Sequence, residues 1–150
     1  MNIILIIVVT TVLLPISLGL FRTWQIQNSL NQKLFLNGKN PDKPNGLYKG
    51  SVNFKTSWEG KKFDASSSAG INIIGGKEKY PFKTYTGKGI RDKNLDVLKI
   101  DYNIPQNPLW LRFILDEIVE VDKDKYLGKV HLNLIPGLPL SLGYFRLEKN

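Results

Sequence analysis

The sequence predicts an all-β domain: an antiparallel barrel of about eight strands with one short helix, preceded by an N-terminal transmembrane helix. Three observations predict it. Residues 3–21 form an apolar run without a charged side chain. From residue 46 onward, apolar residues recur with a period near two, the spacing of a half-buried strand. The breaks between these runs are short and rich in Gly, Pro, Asn and Asp, with no room for the helical crossover that parallel strands need.

The N-terminal segment, residues 1–21, is the predicted span. Nineteen residues, 3–21, make about 28 Å of helix at 1.5 Å per residue, which crosses most of a bilayer core. A helix on the surface of a soluble domain carries a polar face, and this one has none. A cleaved signal peptide is the alternative, with Ser17-Leu18-Gly19 as a small-x-small site, but Met1-Asn2 supplies no basic side chain and the apolar run is long for that role. Arg22, Lys33 and Lys39 follow the span and no lysine or arginine precedes it, so the positive-inside rule leans the C-terminal domain to the cytoplasmic side. Residues 22–45 read as a helical extension and linker. Phe21, Trp24, Leu30 and Leu34 share a helical face, Asn37-Gly38 is a glycine stop, and GKNPDKPNG is a turn-rich connection. The barrel domain is residues 46–150.

The strands follow in order. Residues 47–54 form the first, with a break near Trp58-Glu59-Gly60, and residues 63–66 resume the pattern. Residues 69–74 make a third strand, closed by a Gly75-Gly76 turn. Tyr80, Phe82 and Tyr85 lie on a fourth, with Pro81 marking an edge or a strand start. Residues 95–102 form the fifth, and residues 118–121 and 126–134 form a hairpin about Asp122-Lys123-Asp124-Lys125. Residues 140–147 form the last, after Pro136-Gly137. Eight meandering strands suit an up-and-down barrel; a β-sandwich is the alternative. Gly50, Gly128 and Gly143 fall inside strands, where barrel bends or bulges use them.

The stretch NPLWLRFILDEI, residues 107–118, does not alternate. Asn107-Pro108 resembles an N-cap followed by proline at the first helical position. Leu109, Arg112, Phe113 and Asp116 fall at i, i+3, i+4 and i+7. The expectation is a short helix over residues 108–117 lying across one barrel mouth, with Arg112 and Asp116 paired; a strand is the competing reading.

Composition excludes several chemistries. With no cysteine, disulfides, thiol nucleophiles, iron–sulfur clusters and cysteine zinc sites are ruled out. The one histidine, His131, cannot build a multi-histidine metal site, and no calcium loop is present. No cofactor is expected. The net charge of +8 comes from scattered lysines broken by acids, a solubilising surface rather than a nucleic-acid tract. Neither Gly75-Gly76-Lys77 nor Gly87-Lys88-Gly89 fits a phosphate loop, no G-x-S-x-G elbow occurs, and Ser66-Ser67-Ser68 reads as a turn.

Short motifs in the barrel segment carry a family likeness. Gly46-Leu47-Tyr48-Lys49-Gly50 fits G-x-[WY]-x-G, with tyrosine in the aromatic position where tryptophan is usual. Trp58-Glu59-Gly60-Lys61-Lys62-Phe63 fits W-x-G-K-x-F, and Asp116-Glu117-Ile118-Val119, Tyr126-Leu127-Gly128-Lys129 and Gly143-Tyr144-Phe145 form a DEIV…YLGK…YF tail. Over residues 46–149 the chain resembles uncharacterised lipocalin-like small barrel proteins of the GxWxG type. The resemblance implies a lipocalin-like barrel and binding of an apolar small molecule, and it carries over no catalytic residue.

Aromatic residues with polar tips are the better functional signal. Trp58, Tyr80, Tyr102, Trp110, Tyr126, Arg112 and His131 are the candidate ligand-binding residues, with Arg112 near the mouth to meet an acidic head group. A filled core with rim tyrosines is the competing use of the same residues. The expected partners are an apolar or amphipathic small molecule and, through residues 3–21, a membrane, with no nucleic acid. Two other functions stand beside this non-catalytic one. One is a small isomerase or cyclase whose acid, base or charge stabiliser comes from Asp101, Arg112, Asp116 or His131. The other is a solid-cored interaction module that docks a membrane surface or a protein.

Overall fold

The apolar N-terminal run folds as one helical rod in a computed structural model that describes residues 3–149; Met1, Asn2 and Asn150 of the predicted span and barrel segments lie outside the described residues. The rod consists of α1 (Ile3–Val8), a wider π-helical segment (Val9–Leu13) and α2 (Leu14–Gln27). The widened turn precedes Pro15, whose missing N–H and bulky ring do not fit a regular α ladder. Thr10, Thr11 and Ser17 each turn their hydroxyl onto a backbone carbonyl of the preceding turn, so no polar side chain of the run needs an outside partner. Among the described residues, Ile6–Gln27 is the helix long and apolar enough to cross a membrane. A Ser29 side-chain cap starts α3 (Leu30–Leu36), which ends at Asn37.

Eight antiparallel strands then close into a barrel in sequence order: β1 (Gly46–Ser51), β2 (Trp58–Asp64), β3 (Ala69–Ile74), β4 (Lys77–Lys88), β5 (Asp96–Asp101), β6 (Ile114–Asp122), β7 (Lys125–Leu132) and β8 (Leu140–Lys149). β8 pairs back onto β1, from Tyr48 opposite Lys149 to Ser51 opposite Arg146, so no sheet edge is left open. The predicted barrel is therefore the observed one, and the sandwich is not.

Two boundaries differ from the sequence reading. The first strand ends at Ser51, and the stretch read as a break, residues 58–60, begins β2. Gly60 is not a loop glycine. It has φ +144 at a β-bulge and lies so close to the Tyr48 carbonyl that no side chain fits. The second correction concerns residues 108–117. Only Leu111–Phe113 form a 3₁₀ turn, and Ile114 already starts β6. The Asn107 side chain does not cap a helix; it donates to the carbonyls of Pro81 (2.7 Å) and Tyr102 (2.9 Å), tucking the β5–β6 connection into the barrel end.

The failure to alternate has a physical cause. β6 is buried on both faces: Asp116 and Ile118 point into the barrel, while Glu117 and Val119 point out beneath α3. A strand covered on both sides reads as a continuous run. The outer cluster of Phe35, Val97, Val119 and Leu127 makes α3 part of the folded domain, since the Phe35 ring is fully buried there.

The interior is filled over only half its length. Tyr48, Phe63, Leu98, Ile118, Tyr126 and Leu147 pack the half toward the β6–β7 turn, with rings in edge and tilted contact at 5.2–5.6 Å. The half toward the β5–β6 connection is hollow.

Candidate functional site

The hollow half is an open cavity of about 410 Å³. Its walls are largely apolar: Val52, Phe54, Ile74, Leu111, Ile114, Val130 and Leu142, with aromatic faces from Trp58, Tyr80, Trp110 and Phe145. Gly143 on β8 also lines it, and a Cβ built there meets nothing within 4 Å.

The floor is polar and charged. Strand pairing brings Lys61 (β2), Asn72 (β3), Tyr102 (just after β5) and Asp116 (β6) to one level, where the filled half ends. The Lys61 ammonium sits 3.1 Å from Asp116 Oδ2, with both side chains at most 5% exposed. It also donates to Asn72 Oδ1 at 2.9 Å and to the Tyr102 hydroxyl. Tyr102 in turn donates to Asp116 Oδ2 at 2.9 Å. Asn72 uses its whole amide: its oxygen also accepts from the Trp58 indole at 3.1 Å, and its nitrogen donates to the Tyr80 carbonyl at 3.1 Å. Four rings, those of Trp58, Phe82, Tyr102 and Phe145, surround the ammonium at 5.1–5.6 Å from their centroids.

The charge states follow from this enclosure. Burial pushes the Lys61 ammonium below the ordinary lysine value, and Asp116 offsets part of that. Burial, with the Asp116 carboxylate beside it, raises the Tyr102 phenol well above its usual value, so it stays protonated and can donate. The floor thus pairs one basic group with one acidic group, and the two balance each other. Asp116 takes both bonds on Oδ2; its Oδ1 takes neither.

One wall is strained. Tyr80 has φ +59 at the bulge where β3 shifts register against β4. A non-glycine residue in this region costs about 1 kcal/mol or more. The Asn72 amide holds its carbonyl, and the Tyr80 ring meets Trp110 edge-on at 6.0 Å. The bulge aims an aromatic side chain into the cavity that a regular strand would turn elsewhere.

Of the sequence candidates, Trp58, Tyr80, Tyr102 and Trp110 come together around this cavity. Arg112, Tyr126 and His131 do not line it. Arg112 donates to Asn103 at 3.0 Å, and its expected partner Asp116 points into the barrel toward Lys61. Tyr126 lies in the filled half, its hydroxyl 3.4 Å from that of Tyr48. His131 is on the outer face of β7. Lys61 and Asn72 were missed. Lys61 stands within the W-x-G-K-x-F stretch, beside a second lysine, and the β2 alternation that separates buried Lys61 from exposed Lys62 was hidden by reading residues 58–60 as a break.

A second buried polar group lies outside the barrel, under the helices. Glu117 Oε2 is 3.1 Å from His131 Nε2, His131 Nδ1 is 3.2 Å from Ser141 Oγ, and the Ser141 amide donates to Thr23 Oγ1 of α2 at 2.9 Å. Lys129 donates to Gln32 of α3 and to Asp92, both at 2.8 Å, and burial lowers the pKa of its ammonium, with Asp92 opposing. The serine, histidine and acid have the composition of a hydrolytic triad, yet all three are fully buried. They tie α2 to β7 and β8. Among the described residues, no group of three His, Asp or Glu side chains is placed to hold a metal ion.

No family model matches the chain, and no curated protein matches it significantly. A crystal structure of a protein from Thermomonospora curvata is similar in fold, with a TM-score of 0.51 at 16% identity, covering 79% of this chain and 84% of that one.

Proposed function

We propose that this chain is a membrane-anchored, lipocalin-like β-barrel that holds one apolar or amphipathic small molecule without transforming it. The observation that carries the reading is the half-hollow barrel: an open, apolar-walled cavity of about 410 Å³ that ends on a buried polar floor. Such a volume lies within the range of about 300–1,000 Å³ typical of small-molecule sites, which join apolar walls to a few placed polar groups. The GxWxG-type motifs support the same reading, and the apolar helix of residues 3–21 supplies the anchor, with the barrel on the cytoplasmic side by its flanking charges.

The floor narrows the ligand class. An ammonium already neutralised by a carboxylate offers little net attraction to a fatty-acid anion, and the buried carboxylate repels it. A neutral head group that donates, such as a hydroxyl, matches the free Asp116 Oδ1, while the Lys61 and Tyr102 hydrogens are already given to Asp116, Asn72 and the Tyr102 oxygen. The ligand is therefore an apolar body with an uncharged polar end.

The test is saturable binding of a radiolabelled long-chain alcohol to the detergent-solubilised full chain. Gly143→Phe is the control, since Gly143 lines the cavity and a Cβ there meets nothing within 4 Å. Saturable one-to-one binding that Gly143→Phe abolishes supports the proposal. Non-saturable binding, or binding indifferent to Gly143→Phe, contradicts it.

A cavity enzyme has one observation in its favour: the ionisable groups Lys61, Tyr102 and Asp116 converge on one floor. Of the acids and bases expected for that role, only Asp116 is there. Chemical identity of the bound molecule before and after incubation separates the two readings.

A further inference from the structure

The barrel has two ends of opposite character. One carries the connections 52–57, 75–76, 102–113 and 133–139, and the cavity opens there. The other carries the connections 65–68, 89–95 and 123–124. At the cavity end, Phe54, Leu109, Trp110, Leu134 and Ile135 are exposed, the first three by 62–68%. The only charged side chains in those four connections are Lys55 and Arg112, both cationic. At the far end, no large apolar side chain of the connections is exposed, and Arg91, Asp92, Lys93, Lys123 and Asp124 mix both signs.

The helical rod leaves the barrel at the cavity end. α2 runs alongside β8 in the same direction: Gly19 packs on Leu140, Thr23 bonds the Ser141 amide, and Asn31 just beyond α2 bonds Arg146. A Cβ at Gly19 would come within 2.6 Å of Leu140 Cδ1, so helix and strand are in close contact there. Residues 3–18 therefore extend past the rim of the mouth and not past the opposite end. A hydrocarbon core of about 30 Å needs about 20 helical residues. The apolar run ends at Phe21, just before Arg22, so a span that buries the whole run reaches beyond the point where the helix is already docked on β8. The rim of the barrel then lies at the level of the interface, where Trp24, stacked on Phe21 and 61% exposed, is at home.

We propose that the barrel sits mouth-down on the bilayer that its own helix spans, with Phe54, Leu109, Trp110, Leu134 and Ile135 inserted at the headgroup–acyl boundary and Lys55 and Arg112 meeting anionic head groups. The occupant of this apolar rim is the lipid surface itself. Ligand then enters the cavity from the membrane rather than through water. The inference rests on reading residues 3–21 as a membrane span and does not depend on ligand binding.

The chain lacks cysteine, so single nitroxide labels can be placed without background. The full chain goes into nanodiscs of phosphatidylcholine and phosphatidylglycerol, labelled one site at a time at Val12→Cys, Phe54→Cys, Leu134→Cys or Lys123→Cys. All four side chains are exposed in the fold, so no core is disturbed. Collision with oxygen and with a water-soluble nickel chelate is then compared. The expected result is a several-fold higher oxygen-to-nickel ratio at residues 12, 54 and 134 than at residue 123. An immersed residue 12 with residues 54 and 134 as water-accessible as residue 123 overturns the docking while leaving the anchor intact. Water accessibility at residue 12 overturns the anchor, and the docking with it.

Discussion

Lys61 Nζ lies 3.1 Å from Asp116 Oδ2 inside a barrel whose core, apart from Asn72 beside the pair, is aromatic and aliphatic. Removing two charges from water is costly, and such a pair is seldom more stabilising than apolar residues of the same volume. Its position explains it better than stability does: it sits where packing stops and the cavity starts.

Breaking the pair on one side leaves a buried charge uncompensated. Lys61→Met or Asp116→Leu in the full chain is expected to cost about 3–5 kcal/mol each. The double variant is expected to lose much less than the sum of the two. Denaturant unfolding in detergent, followed by circular dichroism, gives the three values. Additive losses would show that the two groups do not stabilise each other.

The buried phenols set an alkaline limit. Burial raises the pKa of Tyr102, Tyr126 and Tyr144 above the ordinary value of 10.0. The unfolded chain ionises these groups near pH 10 and the folded chain does not, so their contribution is intact below pH 10 and is lost as pH rises above it. Lys61 acts in the opposite sense: its lowered pKa makes its burial cost shrink as pH climbs toward 10.5, and that gain ends there. Tyrosinate absorbance should therefore appear in two steps, the second coinciding with loss of the β-sheet signal. A single smooth titration of all six tyrosines in folded protein would contradict the burial.

The turn between β2 and β3 has an acid limit of its own. Asp64 accepts from Ser66 and Ser67, and these bonds hold its carboxyl at about 2, below the ordinary 3.8. Its contribution is present above pH 3.8 and fades as pH falls toward about 2. Asp64→Asn should flatten the stability profile in that window, and an unchanged profile would show that the turn does not need the charge.

Phe35 makes the helical extension part of the domain. Phe35→Ala should cost about 3–5 kcal/mol, as for other large buried side chains. A chain that starts at Gly46 bares Val97, Val119 and Leu127 and should aggregate or melt far below the full chain. Equal stability of the two would mean that α3 packs without consequence.

Ser141 tests the difference between composition and chemistry. It is fully buried beneath α2 and hydrogen-bonded to His131. A fluorophosphonate probe should leave it unlabelled in the folded chain, with no difference between the wild type and Ser141→Ala. Labelling that disappears in Ser141→Ala would show that α2 lifts to expose a working serine.

Period-two patterning carried the barrel because most strands bury one face: from Leu98 to Asp101 the alternation is visible in the residues themselves. It failed over residues 107–118 because residues 107–113 are a connection with one 3₁₀ turn and, from Ile114 on, α3 covers the outer face of β6, which removes the polar half of the pattern. The aromatic part of the site was legible, since Trp58, Tyr80, Tyr102 and Trp110 need a place for both a ring and a polar tip. The ionic part was not. Lys61 and Asp116 are separated by fifty-five positions, and only barrel closure through β3, β4 and β5 makes them neighbours. His131 shares its strand face with Lys129, and only the helices decide that this face is the outer one.

The central claim is that the hollow half of the barrel holds a neutral apolar molecule. Native mass spectrometry of the full chain, purified in detergent and released from the micelles, tests it most directly. The account predicts a one-to-one adduct of a single uncharged compound on the wild type and its absence from Gly143→Phe. A bare wild-type chain after incubation with membrane extract, or the same adduct on Gly143→Phe, would contradict it.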